Sequence, residues 1–152
     1  MAGVVWQWRT FDELTTADLY ELLKLRQDIF ILEQQCFYSD MDDQDQISFH
    51  LQGHADGKLV AYLRVIPKVI DGEECMIIGR VLTDASQRGA GTGRAMMQQT
   101  MSFLAERFPD KTVQLSAQQY LTEFYASFGF EAISEPYDED GIMHLDMRRV
   151  PA

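Results

Sequence analysis

The feature that most limits what this chain can fold into is the run Ile77-Ile78-Gly79-Arg80-Val81-Leu82-Thr83-Asp84-Ala85-Ser86-Gln87-Arg88-Gly89-Ala90-Gly91-Thr92-Gly93-Arg94. An apolar strand enters a loop with glycine at three alternate positions. The loop leads straight into a helical pattern in which Met97, Met101, Leu104 and Phe108 share one face and Pro109 marks the end. Where a helix begins, its first N–H groups lack intrahelical partners, and the aligned peptide dipoles leave roughly half a positive charge. The glycines let the backbone come close to a ligand. Arg88 and Arg94 add cationic side chains beside those amides, and a charge-assisted hydrogen bond contributes about 1.5–3 kcal/mol. The run therefore predicts a phosphate-bearing ligand.

Charge argues against a nucleic acid as that ligand. Thirteen Lys plus Arg against 24 Asp plus Glu leave a net −11, whereas sequence-independent binding to DNA or RNA draws its affinity from basic contacts to phosphate. The acidity suits an amine or basic-peptide substrate, and equally an ordinary solvated surface. At 152 residues with 46% hydrophobic content, the chain predicts a single globular domain over residues 1–152, monomeric or homodimeric. With no signal-peptide pattern and no apolar run long enough to cross a bilayer, no membrane partner and a cytoplasmic setting are expected. Cys36 and Cys75 form no CxxC pair and read as reduced structural thiols. His50 and His54 are four apart but in strand-like surroundings, and HExxH is absent, so no metal site is predicted.

Residues 4–11 alternate aromatic and polar side chains around Trp6 and Trp8, as a half-buried strand does. Thr15 can cap a helix, with Asp18 three residues on and Leu14 placed to staple to Leu19. Leu19, Leu22, Leu23, Arg26, Ile29 and Phe30 then keep the helical period over residues 18–33, so that face packs on a sheet. Residues 34–46, with Asp40, Asp42, Asp43 and Asp45, read as a structured loop or a short second helix. Strand-like runs at 48–55 and 58–69 join at Asp56-Gly57. Asp71-Gly72 repeats that turn signal before 75–82, which predicts an antiparallel meander. Gly79 inside the third strand predicts a bulge or a close backbone approach. After the glycine loop and its helix, 112–117 is expected to lie parallel to the strand before the loop. Leu121, Phe124, Tyr125 and Phe128 mark a short helix closed by Gly129. Residues 130–134 and 142–149 form a last strand pair, separated by the acidic loop 135–141.

Two phosphate-binding motifs fail on their residues. Gly89-Ala90-Gly91-Thr92-Gly93-Arg94 has an arginine where a dinucleotide fingerprint needs a small residue, and no acid ends the next strand. A Walker loop needs Gly-Lys-Ser/Thr, which does not follow. Instead, Gln87-Arg88-Gly89-Ala90-Gly91-Thr92-Gly93 after an apolar strand resembles the Gln/Arg-x-x-Gly-x-Gly/Ala signature of the GCN5-related N-acetyltransferase superfamily, with Arg88, Gly91 and Gly93 in the signature positions. The strand at 113–117 followed by Phe124-Tyr125-x-x-Phe128-Gly129-Phe130 is similar to that family's second half, and the strand-helix-meander order to its first. More narrowly, Leu25-Arg26, Phe30, Glu33-Gln34-Gln35, residues 124–130 and Asp138-Glu139-Asp140-Gly141-Ile142-Met143-His144 resemble the ElaA-like branch.

The resemblance implies an α/β (α+β) fold: a mixed, mostly antiparallel sheet of six to seven strands flanked by helices. It is splayed between the strand before the glycine loop and the strand after the crossover helix. It implies acetyl-coenzyme A as cosubstrate, with its pyrophosphate on Gln87, Arg88, Gly89, Ala90, Gly91, Thr92, Gly93 and Arg94 and its pantetheine arm along Val81, Leu82 and Thr83. The implied activity is transfer of an acetyl group to a primary amine of a small molecule or exposed peptide. Tyr125 stands where the family has its general acid, and a phenol of pKa about 10 can donate to a departing thiolate; by spacing alone it reads as a core aromatic beside Phe124 and Phe128. An amine of pKa about 10.4 must lose a proton before it attacks, and Glu33 is the candidate base. His144, Asp42 and Asp43 are candidate acceptor-side residues, with Asp138 and Asp140 as further acids that can attract a cation. The alternative from another class is a non-catalytic acyl-coenzyme A sensor or interaction domain.

Overall fold

A computed structural model describes residues 3–151. Strand β1 (Val5–Thr10) is followed by helix α1 (Thr16–Arg26). The expected cap forms: the Asp18 amide donates to the Thr15 hydroxyl at 3.0 Å, and the Thr15 amide donates to the Asp18 carboxylate at 3.1 Å. Two otherwise free donors are thereby satisfied. Past Arg26 the chain continues as a π-helical segment, Gln27–Glu33. The Gln34 amide reaches five residues back to the Ile29 carbonyl at 3.1 Å.

Strands β2 (Phe49–Ala55), β3 (Lys58–Ile70) and β4 (Glu73–Thr83) form the meander. Its turns place Asp56 and Gly57 at φ 51° and 78°, and Asp71 and Gly72 at 51° and 81°. Successive positive φ values match the right-handed twist of a hairpin. Helix α2 (Thr92–Arg107) crosses to β5 (Thr112–Gln118), which lies parallel to β4. Helix α3 (Thr122–Ala126) precedes the left-handed Gly129, φ 92°. Strand β6 (Glu131–Ala132) pairs with β8 (Ile142–Arg149). The stretch read as an acidic loop contains a further strand, β7 (Tyr137–Glu139), which turns at Asp140-Gly141 onto the start of β8. The sheet thus has eight strands in the order β1-β2-β3-β4-β5-β8-β6, with β7 on β8.

Helices cover both faces. Met96, Met97, Phe103 and Leu104 of α2 pack with Leu51, Leu63, Val65 and Met76, while Leu22 and Leu25 of α1, with Ile29 and Phe30, pack with Tyr62 and Leu82. Tyr62 and Leu63 are consecutive in β3, so they point to opposite faces.

The loop between the π-helical segment and β2 is fixed by buried charge. Arg26, 0% exposed, donates to Asp40 at 2.9 Å and Asp45 at 2.7 Å. Arg64 donates to Asp45 at 2.9 Å and Asp42 at 2.8 Å, and Arg80 to Asp40 at 2.8 Å and Asp42 at 3.3 Å. Asp40, Asp42 and Asp45 are therefore counter-ions for arginines of α1, β3 and β4.

This arrangement sets the acid stability. Burial pushes the Asp42 carboxyl up, but Arg64 outweighs it and holds the group at about 2; Asp45 is likewise lowered, burial opposing and Arg26 and Arg64 prevailing. Folded values below the unfolded value of about 3.9 contribute stability above that pH and lose it as pH falls. Thermal melts are expected to drop chiefly below about pH 4. An Asp42→Asn variant should be less stable at neutral pH and show a shallower acid fall; an equally steep fall would discount this cluster.

Candidate active site

Pairing between β4 and β5 runs from Cys75 with Thr112 to Ile78 with Leu115 and stops there. Beyond Ile78 the two strands diverge. The bulge expected at Gly79 lies beside it: Arg64 faces Gly79 and Tyr62 faces Leu82, so Arg80 and Val81 oppose Leu63 alone. Arg80, not the glycine, takes the left-handed conformation, at φ 52°.

Two cavities occupy the opening. The first, about 760 Å³, is bordered by Val81, Leu82 and Thr83, by Gln87, Arg88, Gly89, Gly91, Thr92, Gly93 and Arg94, and by Glu33. Of the coenzyme residues expected from sequence, Ala90 alone lies off its wall, its amide bonded to the Gln87 carbonyl at 3.2 Å. The amides of Gly89, Gly91, Thr92, Gly93 and Arg94 have no acceptor among the described residues. A Cβ on Gly89, Gly91 or Gly93 would meet nothing within 4 Å. These glycines border open space, and five free donors at the start of a sixteen-residue helix fit a phosphate-bearing group.

Arg88 grips the Glu33 carboxylate with both terminal nitrogens, Nη2 to Oε2 at 2.9 Å. Those hydrogen bonds hold the Glu33 carboxyl below its ordinary value. Arg94 lies over Phe124 and Phe128, 5.4 and 5.1 Å from their ring centres.

The second cavity, about 510 Å³, is bordered by Arg64, Arg80, Cys36 and Tyr38 and by Glu139, Asp140 and His144, and the Cys36 thiol donates to the Asp140 carbonyl at 3.4 Å. Gln34, Val81, Gln118, Leu121 and Tyr125 border both cavities. Tyr125 is 5% exposed, edge-on to Phe124 at 5.2 Å and to Phe130 at 6.3 Å. Its hydroxyl has no hydrogen-bond partner among the described residues, and burial, with Tyr120 adding, pushes the phenol up to about 12. His144 pairs across strands with Gln118. Its Nδ1 donates to the Ile142 carbonyl at 2.8 Å, leaving Nε2, 3.5 Å from Glu139, as the basic nitrogen.

Tyr125 borders both cavities: it shares the first with Glu33 and the second with His144. Asp42 and Asp43 border neither; Asp42 is taken up by Arg64 and Arg80, and Asp43 is an exposed loop residue at φ 64°. Sequence reasoning overlooked Arg64, Arg80 and Glu139. The available signal was an arginine inside each of two apolar strands, since a buried charge needs partners.

Residues 24–150 match the model of the acetyltransferase (GNAT) domain family. The chain belongs to that family. Among its GNAT relatives, ElaA of Escherichia coli is 40% identical over 148 residues, 96% of each chain; its crystal structure superposes with a TM-score of 0.89, covering 95% of this chain and 99% of that one. A UPF0039 protein of Synechocystis is 42% identical over 149 residues, again 96% of each. The crystal structure of an acyl-CoA N-acyltransferase from Pseudomonas aeruginosa superposes with a TM-score of 0.91 at 37% identity, covering 97% of this chain and 100% of that one. GNAT membership makes acyl transfer from an acyl-coenzyme A the class of chemistry this site performs. No helix among the described residues is long and apolar enough to cross a membrane.

Proposed function

We propose that this GNAT protein transfers an acetyl group from acetyl-coenzyme A to a primary amine of a small molecule or exposed peptide, as one domain over residues 1–152 acting in the cytoplasm. One observation carries the reading: Tyr125, whose hydroxyl has no partner among the described residues, borders both a cavity of free backbone amides and a cavity holding His144 and Glu139.

Acetyl-coenzyme A supplies the acyl group as an activated thioester. The amides of Gly89, Gly91, Thr92, Gly93 and Arg94, with Arg88, hold the pyrophosphate. The β4 backbone at Val81, Leu82 and Thr83, unpaired toward β5, bonds the amides of the pantetheine arm. Tyr125 donates to the departing sulfur. With its phenol near 12 and an ordinary thiol near about 8.5, it keeps its proton and stabilises the thiolate by a hydrogen bond. Glu33, facing the coenzyme and paired with Arg88, is a weaker base candidate than His144 Nε2, which lies 3.5 Å from the Glu139 carboxylate. The acceptor nitrogen bonds the acyl carbon and the C–S bond breaks. The acceptor ammonium gives one proton to His144, and on to solvent, before it attacks; the second proton, lost as the amide forms, also goes to solvent, and the released thiolate takes one proton from solvent.

In a thermal-shift titration acetyl-coenzyme A is expected to stabilise the protein, and thiol release should follow with at least one amine of a panel. Stabilisation with no release on any amine would leave a sensor domain in place of an enzyme; no stabilisation would remove both readings. An Arg88→Ala variant is expected to raise KM for acetyl-coenzyme A about tenfold, with a smaller change in kcat, since it removes a charge-assisted contact made equally before and during reaction.

A further inference from the structure

The acceptor cavity has two walls of opposite character. On the β7 and β8 side stand Glu139, Asp140 and His144; on the β3 and β4 side stand Arg64 and Arg80. The aspartates that neutralise those arginines, Asp40, Asp42 and Asp45, border neither cavity and lie behind them. The guanidinium groups are not fully used. Arg64 is 2% exposed and its Nε is buried without a partner. Arg80 bonds Asp40 and Asp42 through Nε and Nη2, while its Nη1 has no acceptor among the described residues. The Arg64 Nε is closed off from the cavity, whereas the Arg80 side chain is partly exposed on its border, so Arg80 Nη1 is the donor that an anion in the cavity can bond. Arg80 is also the residue held at φ 52° in the bulge, a conformation disfavoured for any residue with a Cβ and retained where the surroundings require it.

Val81, next to Arg80 in the chain, belongs to the wall shared with the coenzyme cavity; so does Gln118, the cross-strand partner of His144. The shared wall therefore lies between a cationic side and an acidic side. We infer that the acceptor is a free amino acid: its amine faces His144 and Glu139, and its carboxylate takes the open Nη1 donor of Arg80. This rests on the acyl-transfer reading above and names the substrate class of the same site. The bond formed joins the amino nitrogen to the acyl carbon, the bond broken is C–S, and the products are an N-acyl amino acid and the free thiol. A purely cationic amine leaves the Arg80 Nη1 donor without an anionic partner.

The test is thiol release by the wild-type chain on matched pairs that differ in the carboxylate: lysine with cadaverine, tyrosine with tyramine, tryptophan with tryptamine. At least one amino acid is expected to exceed its decarboxylated partner in kcat/KM by about tenfold or more, mostly through KM. In Arg80→Met that ratio should collapse toward one, and Arg80→Lys should retain part of it. Equal rates within every pair, or faster reaction of the decarboxylated members, would overturn the inference and leave acyl transfer standing. Absence of release from every member of every pair, while another amine of the panel is acetylated, would overturn this inference alone; absence on every amine, with acetyl-coenzyme A still bound, would overturn the proposed activity as well. The wild-type comparison does not depend on any variant folding.

Discussion

Turnover of a Tyr125→Phe variant is expected to fall by roughly a hundredfold while acetyl-coenzyme A continues to bind. The substitution is well suited to separating the hydroxyl from the ring. The ring is what packs, edge-on to Phe124 and Phe130 in a site only 5% exposed, and phenylalanine preserves it. The hydroxyl has no protein partner among the described residues, so its removal orphans no buried donor or acceptor. A change of less than about 1 kcal/mol in stability is therefore expected, with the catalytic loss confined to the step in which sulfur gains charge. Steady-state kinetics together with a melt in the presence of coenzyme checks both halves. Unchanged kcat would make Tyr125 a core aromatic and nothing more.

The largest loss of stability is expected from Arg26→Met. Arg26 is wholly buried and makes three hydrogen bonds, to the Asp40 and Asp45 carboxylates and to the Asp40 carbonyl, at 2.9, 2.7 and 2.9 Å. Methionine fills much of the space and bonds none of them. Removing one member of a buried ion pair typically costs about 3–5 kcal/mol. Here the lower end applies, because Arg80 still serves Asp40 and Arg64 still serves Asp45. About 3 kcal/mol corresponds to a fall in Tm of roughly 6–12 °C for a chain of this size. The same change is expected to loosen the loop that carries Cys36 and Tyr38 on the border of the second cavity, and if that cavity takes the acceptor, KM for the acceptor should rise more than KM for the coenzyme. A loss under about 1 kcal/mol would mean that the remaining arginines compensate.

Local chemistry made much of this fold legible. The Thr15–Asp18 cap, the Asp-Gly turns and the glycine loop act within a few residues, and each forms where the residues indicate. Strand β7 escaped because three residues are too few to show alternation, although Asp140-Gly141 carries the same turn signal as the two hairpins before it. The π-helical segment has no Gly or Pro to mark it; its residues keep an ordinary helical pattern. Gly79 pointed to the bulge, but its neighbour Arg80 adopts the left-handed conformation, which backbone preference alone would not suggest. The acids of residues 34–46 were the hardest part. Their partners lie 14 to 40 residues away on three different elements, so composition shows charges that look solvated. Once Asp42 is paired with Arg64 and Arg80, it ceases to be an attractor for a cationic acceptor. The same pairing leaves the arginines as the distinctive wall of that cavity.

The short border between β4 and β5 has a consequence for the life of the protein as well as for its chemistry. Four residue pairs join two leaves of sheet along a narrow spine, and past Ile78 and Leu115 the leaves part. Whatever lodges between them is a strut. A ligand bound only by the folded chain, present at a hundred times its Kd, deepens the folded state by about 2.7 kcal/mol, on the scale of the whole Arg26 contribution. The population of opened molecules exposed to proteolysis should therefore fall as the supply of acyl-coenzyme A rises and grow as it is depleted, which a protease-resistance assay across coenzyme concentrations reads directly.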